Sequence, residues 1–134
     1  MVRQGFYVGR RKWYVMAYYN VATKDDLGEV EETLLAAGCP EKDVAEALRM
    51  LSQHNSGMTF TNFADHLSLA FISKATSAEE MYDTIQHELK HLTEHIGGYY
   101  GVDPESETSA YLQGEIGRQM VPAASIVICP KCRK

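Results

Sequence analysis

The pattern of apolar and polar positions separates the chain into predicted strands and predicted helices. Residues 13–19 are aromatic and β-branched, which is typical of a strand, and residues 6–8 could pair with them across a turn at 9–12. Two more apolar stretches, 58–63 and 67–72, are joined by a short polar link. This spacing predicts a β-hairpin in the middle of the chain.

Helical periodicity fills the rest of the chain. Thr23, three residues before Asp26, predicts the start of a first helix that Gly38 would close, and Pro40 suits the first turn of a second helix. Strands and helices in this arrangement predict an α+β fold, in which a small three- or four-stranded sheet packs on helices.

The third predicted helix has the clearest signals. It begins at Ser77-Ala78-Glu79-Glu80, which has the form of a capping box, and it would end at Gly97-Gly98. One apolar stripe runs down it, formed by Met81, Ile85, Leu89, Leu92 and Ile96.

A fourth helix is predicted after a short loop, with Asp103 as its N-cap and Pro104 as its first helical residue. Its apolar stripe consists of Leu112, Ile116 and Met120. A separate face, on which small residues would allow close approach of another helix, consists of Glu107, Ala110, Tyr111 and Gly114.

The third helix contains the motif H-E-x-x-H, written out as His87-Glu88-Leu89-Lys90-His91. Residues four apart lie on the same face of a helix, so both imidazoles can reach one metal ion, and the glutamate can hold a water bound to that metal. Both histidines point away from the apolar stripe. We therefore expect another element of the chain to cover them.

Glu107 is the expected third ligand. Two antiparallel helices joined by a short loop would bring it level with His91, and it shares its face with the small residues described above. Glu105 and Glu115 are rival carboxylates, whereas Asp103 is better used as a cap.

The motif and the segment Glu107-Thr108-Ser109-Ala110 together resemble the gluzincin zinc metallopeptidases, in which a Glu-x-x-Ala-like element follows H-E-x-x-H. The short gap and short chain look most like the minigluzincins and related small peptidases of phages and mobile elements. The resemblance implies Zn2+ bound by His87, His91 and Glu107, with Glu88 as general base and a peptide or protein as substrate.

The resemblance also implies how a substrate would bind. In such proteins an extended peptide pairs with the edge of a strand that precedes the motif helix. Either of the strands predicted at 58–63 and 67–72 could serve. The chain lacks the large second lobe of the bigger gluzincins, and this motivates an alternative function, a zinc-carrying binding or regulatory module with weak or no turnover.

We expect a tyrosine to donate a hydrogen bond to the oxyanion of the tetrahedral intermediate. Three protein ligands would leave a fourth position for water, whose proton Glu88 could accept. Tyr111 is the first candidate to stabilise the tetrahedral intermediate, followed by Tyr99 or Tyr100. Ordinary packing is an equally good interpretation of each tyrosine.

Composition restricts the class of protein. One domain, residues 1–134, is expected from the length, and a formal charge of −5 argues against a nucleic-acid binder. No apolar run approaches the roughly 20 residues of a membrane span. Three cysteines do not make a secreted disulfide framework, so a cytoplasmic location is expected.

The C-terminal residues 129–134 contain a C-x-x-C pair, Cys129 and Cys132, with no second pair in the chain. A structural zinc site needs four ligands, so the pair alone is a weak metal signal. A partner protein, a dimer or a redox role could complete it, and a plain exposed tail is the alternative.

Overall fold

The sheet of this protein has four strands in the computed structural model, which describes residues 1–129. These are β1 (Val2–Val8), β2 (Trp13–Val21), β3 (Gly57–Asn62) and β4 (Leu67–Ser73), in the spatial order β1-β2-β4-β3. The β1–β2 and β3–β4 pairs are antiparallel hairpins, as predicted, and β2 and β4 pair in parallel. β3 is therefore an edge strand, whereas β4 is paired on both sides.

Four helices cover the two faces of the sheet. They are α1 (Lys24–Ala36), α2 (Glu41–Leu51), α3 (Ala78–Tyr99) and α4 (Glu107–Ile128). One apolar core joins α1 and α2 to one face, and a second core joins α3 and α4 to the opposite face. The predicted α+β class, with a small sheet packed on helices, is confirmed.

Alternation along β2 supplies both cores. Trp13 and Val15 belong to the core under α3 and α4, whereas Tyr18 packs with Phe71 in the core under α1 and α2. Successive side chains of a strand point to opposite faces, so a strand with helices on both sides is apolar at nearly every position. This is why residues 13–19 show a continuous apolar run.

The starts of α1 and α3 predicted from capping residues are observed. The Thr23 hydroxyl accepts a hydrogen bond from the Asp26 backbone N–H, and the Asp26 carboxylate accepts one from the Thr23 N–H. The Ser77 hydroxyl accepts from the Glu80 N–H at the start of α3. Pro40 directly precedes α2 instead of lying within its first turn.

The predicted end of α3 at Gly97-Gly98 is wrong, because the helix continues to Tyr99. Gly97 lies where α3 and α4 pack closely, since a methyl group added there would lie 3.3 Å from Leu112 Cδ2 on α4. The chain reverses instead near Gly101, whose φ of +74° is a left-handed conformation that glycine adopts without strain.

The predicted cap of α4 at Asp103 is also wrong. The helix begins at Glu107, and Ser106 is its N-cap, accepting a hydrogen bond from the Ser109 N–H. Asp103 instead accepts from the Glu105 N–H within the preceding loop. Aspartate stabilises such local turns as readily as helix starts, so the sequence signal was ambiguous.

Two further expectations concern the C-x-x-C segment and membrane-spanning helices. Cys129 follows α4, whereas Cys132 and the rest of the C-x-x-C segment lie outside residues 1–129. None of the helices within the described residues has the length and apolar character needed to cross a membrane.

Candidate metal centre

The two motif histidines form a close pair on α3. The Nε2 atoms of His87 and His91 are 3.1 Å apart, and the ring centroids are 4.8 Å apart. Two nitrogens bound to one tetrahedral zinc at 2.0–2.1 Å would be separated by about 3.3 Å. The pair therefore fits two positions of a zinc coordination shell, and the 68% exposure of the His87 side chain leaves it accessible from solvent.

Glu88 lies beneath the pair, between α3 and β3. Its side chain is 2% exposed, and its Oε1 accepts a hydrogen bond of 2.8 Å from the Thr59 hydroxyl. Its Oε2 lies 4.0 Å from His87 Nε2. Burial raises the pKa of Glu88, while the Thr59 hydrogen bond and the two histidines act in the opposite direction.

Gly57 makes room for this carboxylate. A methyl group added at Gly57 would lie 2.7 Å from Glu88 Oε2 and 2.9 Å from its Cγ, closer than real contacts allow. A cavity of about 280 Å³ opens beside them. It is lined by Met50, Asn55, Ser56, Gly57, Asp83, Thr84, His87 and Glu88.

His95 lies one turn beyond His91 on the same face of α3. It is partly buried, and its Nδ1 is 2.8 Å from the Thr61 hydroxyl of β3. Its ring centroid is 6.1 Å from that of His91 and 6.0 Å from that of Phe63. Burial lowers the pKa of His95 and so favours the neutral imidazole.

Glu107 is not brought to the histidine pair, contrary to expectation. Leu112 of α4 lies against Gly97 of α3, and the two helices run antiparallel. Glu107 precedes Leu112 and is therefore level with the end of α3, more than about 10 Å along the axis from His91. Its side chain is exposed.

The face of α4 that was expected to meet α3 points to solvent instead. Tyr111 is 75% exposed, and a methyl group added at Gly114 would meet nothing within 4 Å. α4 packs through its apolar stripe, because burying Leu112 and Ile116 removes more apolar surface from water than burying small residues. Tyr111 is therefore displaced from the histidines together with Glu107.

The other candidates from the sequence also lie elsewhere. Glu115 is against Gly9 in the β1–β2 turn, and Glu105 is in the loop before α4. Tyr99 and Tyr100 make ring contacts with Trp13. No group of three or more His, Cys, Asp or Glu side chains among residues 1–129 is arranged to hold a metal ion.

Sequence reasoning missed the polar side of β3. Gly57, Thr59 and Thr61 alternate with Met58 and Phe60, and the first set faces α3 while the second joins the opposite core. Polar residues at period two along the strand predicted at 58–63 were the available signal. They indicated one polar face of this strand, and the structure shows that this face lies against α3.

Comparisons with family models, with curated proteins and with solved structures found no match to this chain. The geometry described above is therefore the basis for assigning a function.

Proposed function

We propose that this protein is a small zinc-dependent peptidase in which His87 and His91 bind the metal and Glu88 is the general base. The observation that carries the proposal is the 3.1 Å separation of the two Nε2 atoms directly above a buried carboxylate. Two imidazoles as zinc ligands and a neighbouring glutamate as general base are what the H-E-x-x-H motif supplies in metallopeptidases.

The two oxygens of Glu88 have different roles in this proposal. When bound, zinc would supply a water with a pKa lowered towards about 7. Glu88 Oε1 is fixed by Thr59, which leaves Oε2, the oxygen nearer His87, to accept a proton and later return it to the leaving amine. The raised pKa of the buried carboxylate makes Glu88 a stronger proton acceptor, as a general base requires.

The edge of β3 is the proposed substrate platform. Because β4 is paired on both sides, β3 is the strand of this hairpin whose edge can add another strand. Gly57 and Thr59 of β3 contact Glu88, so a peptide laid along this edge would pass the histidine pair. Main-chain hydrogen bonds of this kind tolerate many substrate sequences.

The first test measures zinc affinity and hydrolysis of a quenched fluorescent peptide library. We expect His87→Ala to weaken zinc binding by about 100-fold or more, because half of the imidazole pair is lost. Glu88→Gln should keep zinc and lose about 100-fold or more in kcat. His54→Ala, at an exposed position after α2, is the matched control. Full hydrolysis by Glu88→Gln would contradict the proposal.

A second measurement tests the ligand set. The position of Glu107 on the solvent side of α4 predicts that Glu107→Gln changes zinc affinity by less than about twofold. A loss comparable to that of His87→Ala would restore Glu107 as the third ligand, as the family resemblance implies, and would require α4 to begin nearer the histidines.

The second candidate function is a zinc-carrying binding or regulatory module. It is favoured by the ligand set, because the described residues bring two ligands together where catalytic zinc sites usually have three. In that case Glu88→Gln would retain zinc and partner binding, and the wild-type protein would show no metal-dependent turnover.

We also propose a cytoplasmic location, since Cys39 is a buried thiol outside any disulfide and the cysteine content is low. Cell fractionation of the tagged chain tests this proposal.

A further inference from the structure

A chain of polar side chains crosses from the sheet to α3 and ends at His95. The Trp13 Nε1–H lies 3.0 Å from the Ser68 hydroxyl, which lies 2.9 Å from the Thr61 hydroxyl. Thr61 in turn lies 2.8 Å from His95 Nδ1. Trp13 and Ser68 are fully buried, so water does not compete for these groups.

The direction of each hydrogen bond follows from the chemistry of the donors. An indole N–H can only donate, so Ser68 accepts from Trp13. The Ser68 hydroxyl is hydrogen-bonded to Trp13 and Thr61, and leaving a buried hydroxyl proton unpaired costs free energy, so that proton is best used toward Thr61. Ser68 therefore donates to Thr61, and Thr61 donates to His95 Nδ1.

This polarity fixes the tautomer of His95. Because Nδ1 accepts a hydrogen bond, the proton of the neutral ring is on Nε2. The two nitrogens of an imidazole point in nearly opposite directions, so the Nε2–H is directed away from Thr61. The ring itself is one helical turn from His91, at a centroid distance of 6.1 Å.

We propose that His95 donates a hydrogen bond from Nε2 to a carbonyl oxygen of the peptide bound along β3, in the role that the sequence suggested for Tyr111. The inference rests on the proposed peptidase function. It also gives a reason for the buried Ser68–Thr61 pair beside Trp13: these groups hold one N–H donor in a fixed orientation, which is the property a transition-state donor requires. His95 keeps its proton throughout.

The first experiment needs neither zinc nor substrate. Nitrogen-15 NMR of the histidine rings in the metal-free protein should show an unprotonated Nδ1 and a protonated Nε2 for His95, with the signals assigned by their loss in His95→Phe. Thr61→Val, which removes the hydroxyl at similar volume, should shift the Nδ1 signal, and Thr61→Ser should restore it. A protonated Nδ1 in the wild type would overturn the inference.

The second experiment measures peptide hydrolysis and zinc affinity together. His95→Phe should lower kcat by about 10-fold to 100-fold and leave zinc affinity within about twofold. Thr61→Val should lower kcat in the same direction, with rescue by Thr61→Ser. His54→Phe, the same substitution at an exposed position after α2, is the matched control and should match the wild type.

The outcomes separate the two proposals. If the wild type hydrolyses peptides with zinc and His95→Phe is equally fast, the role of His95 is wrong and the peptidase function stands. If the wild type binds no zinc and hydrolyses nothing, the peptidase function is wrong, and the donor role of His95 is wrong with it.

Discussion

The two faces of the sheet differ in chemistry although the same strands form both. On the side of α1 and α2, Leu69 and Phe71 of β4 pack with Tyr18, whose ring stacks on Phe71 at 5.0 Å. On the side of α3, Ser68 of β4 and Thr61 of β3 form a buried hydrogen bond. The first core is built from apolar side chains, whereas the other face contains paired polar groups next to the histidines.

The difference shows what a face with buried polar groups costs a small domain. A buried hydroxyl or carboxylate contributes little net stability even when it is paired, and it costs free energy when it is not. The α1–α2 face therefore provides stability with few constraints on chemistry. The α3 face gives up part of that stability to orient Glu88 and His95.

The largest expected effect is on the apolar face. Leu34→Ala should lower the free energy of unfolding by about 2–5 kcal/mol, because Leu34 is fully buried and the substitution leaves a cavity. Urea denaturation measures it. Leu35→Ala, at the exposed neighbouring position, is the control and should cost less than about 0.5 kcal/mol. Zinc affinity should stay unchanged in both, and a coupled loss of zinc binding would mean that the faces are not independent.

Ser68→Ala tests the polar face. We expect it to lower the free energy of unfolding by about 1–3 kcal/mol, since the buried Trp13 N–H loses its acceptor. Thermal or urea denaturation measures the loss. A change below about 0.5 kcal/mol would show that this hydrogen-bond chain is not needed for stability and would weaken the contrast between the faces.

Gly57→Ala tests the fit of Glu88 against β3. The added methyl group would force the carboxylate to move, and we expect a cost of about 1–2 kcal/mol in the free energy of unfolding. Hydrolysis should fall by about tenfold or more, because Glu88 Oε2 is displaced from the histidines. Zinc binding should be retained. Full activity in a folded Gly57→Ala protein would show that the position of Glu88 is not critical.

Gly28→Ala has the smallest expected effect and the opposite sign. Gly28 lies inside α1 with open space around it, so alanine should raise the free energy of unfolding by about 0.5–1 kcal/mol through helix propensity. The same substitution at Gly57 and Gly28 therefore separates a steric requirement from a backbone preference. A destabilised Gly28→Ala would contradict this interpretation.

Local signals in the sequence predicted much of the fold. Both hairpins, the Thr23–Asp26 cap and the start of α3 after Ser77 depend on residues close together in the chain, and all are observed. The parallel pairing of β2 with β4 has no local signal, because it joins strands separated by α1, α2 and β3. The order of strands in the sheet, and with it the identity of the edge strand, required the structure.

The candidate site was predicted in part for the same reason. The period of one helix sets the relative positions of His87, Glu88 and His91. The structure places these three side chains close together. The position of Glu107 depended on where α4 begins and on which face of α4 packs against α3. The predictions of the start and of the packing face were both wrong. The roles of Thr59 and Thr61 required knowledge of the strand beneath the helix.

The parallel β2–β4 pair has a consequence for folding kinetics. β4 can join β2 only after the intervening residues 22–66 have been gathered into a closed loop, and contacts over such separations form slowly. The β3–β4 hairpin and α3 follow one another in the chain, so the histidine helix can acquire the strand beneath it through local contacts alone. The candidate site is therefore expected to form ahead of the β2–β4 pairing that joins it to the rest of the sheet.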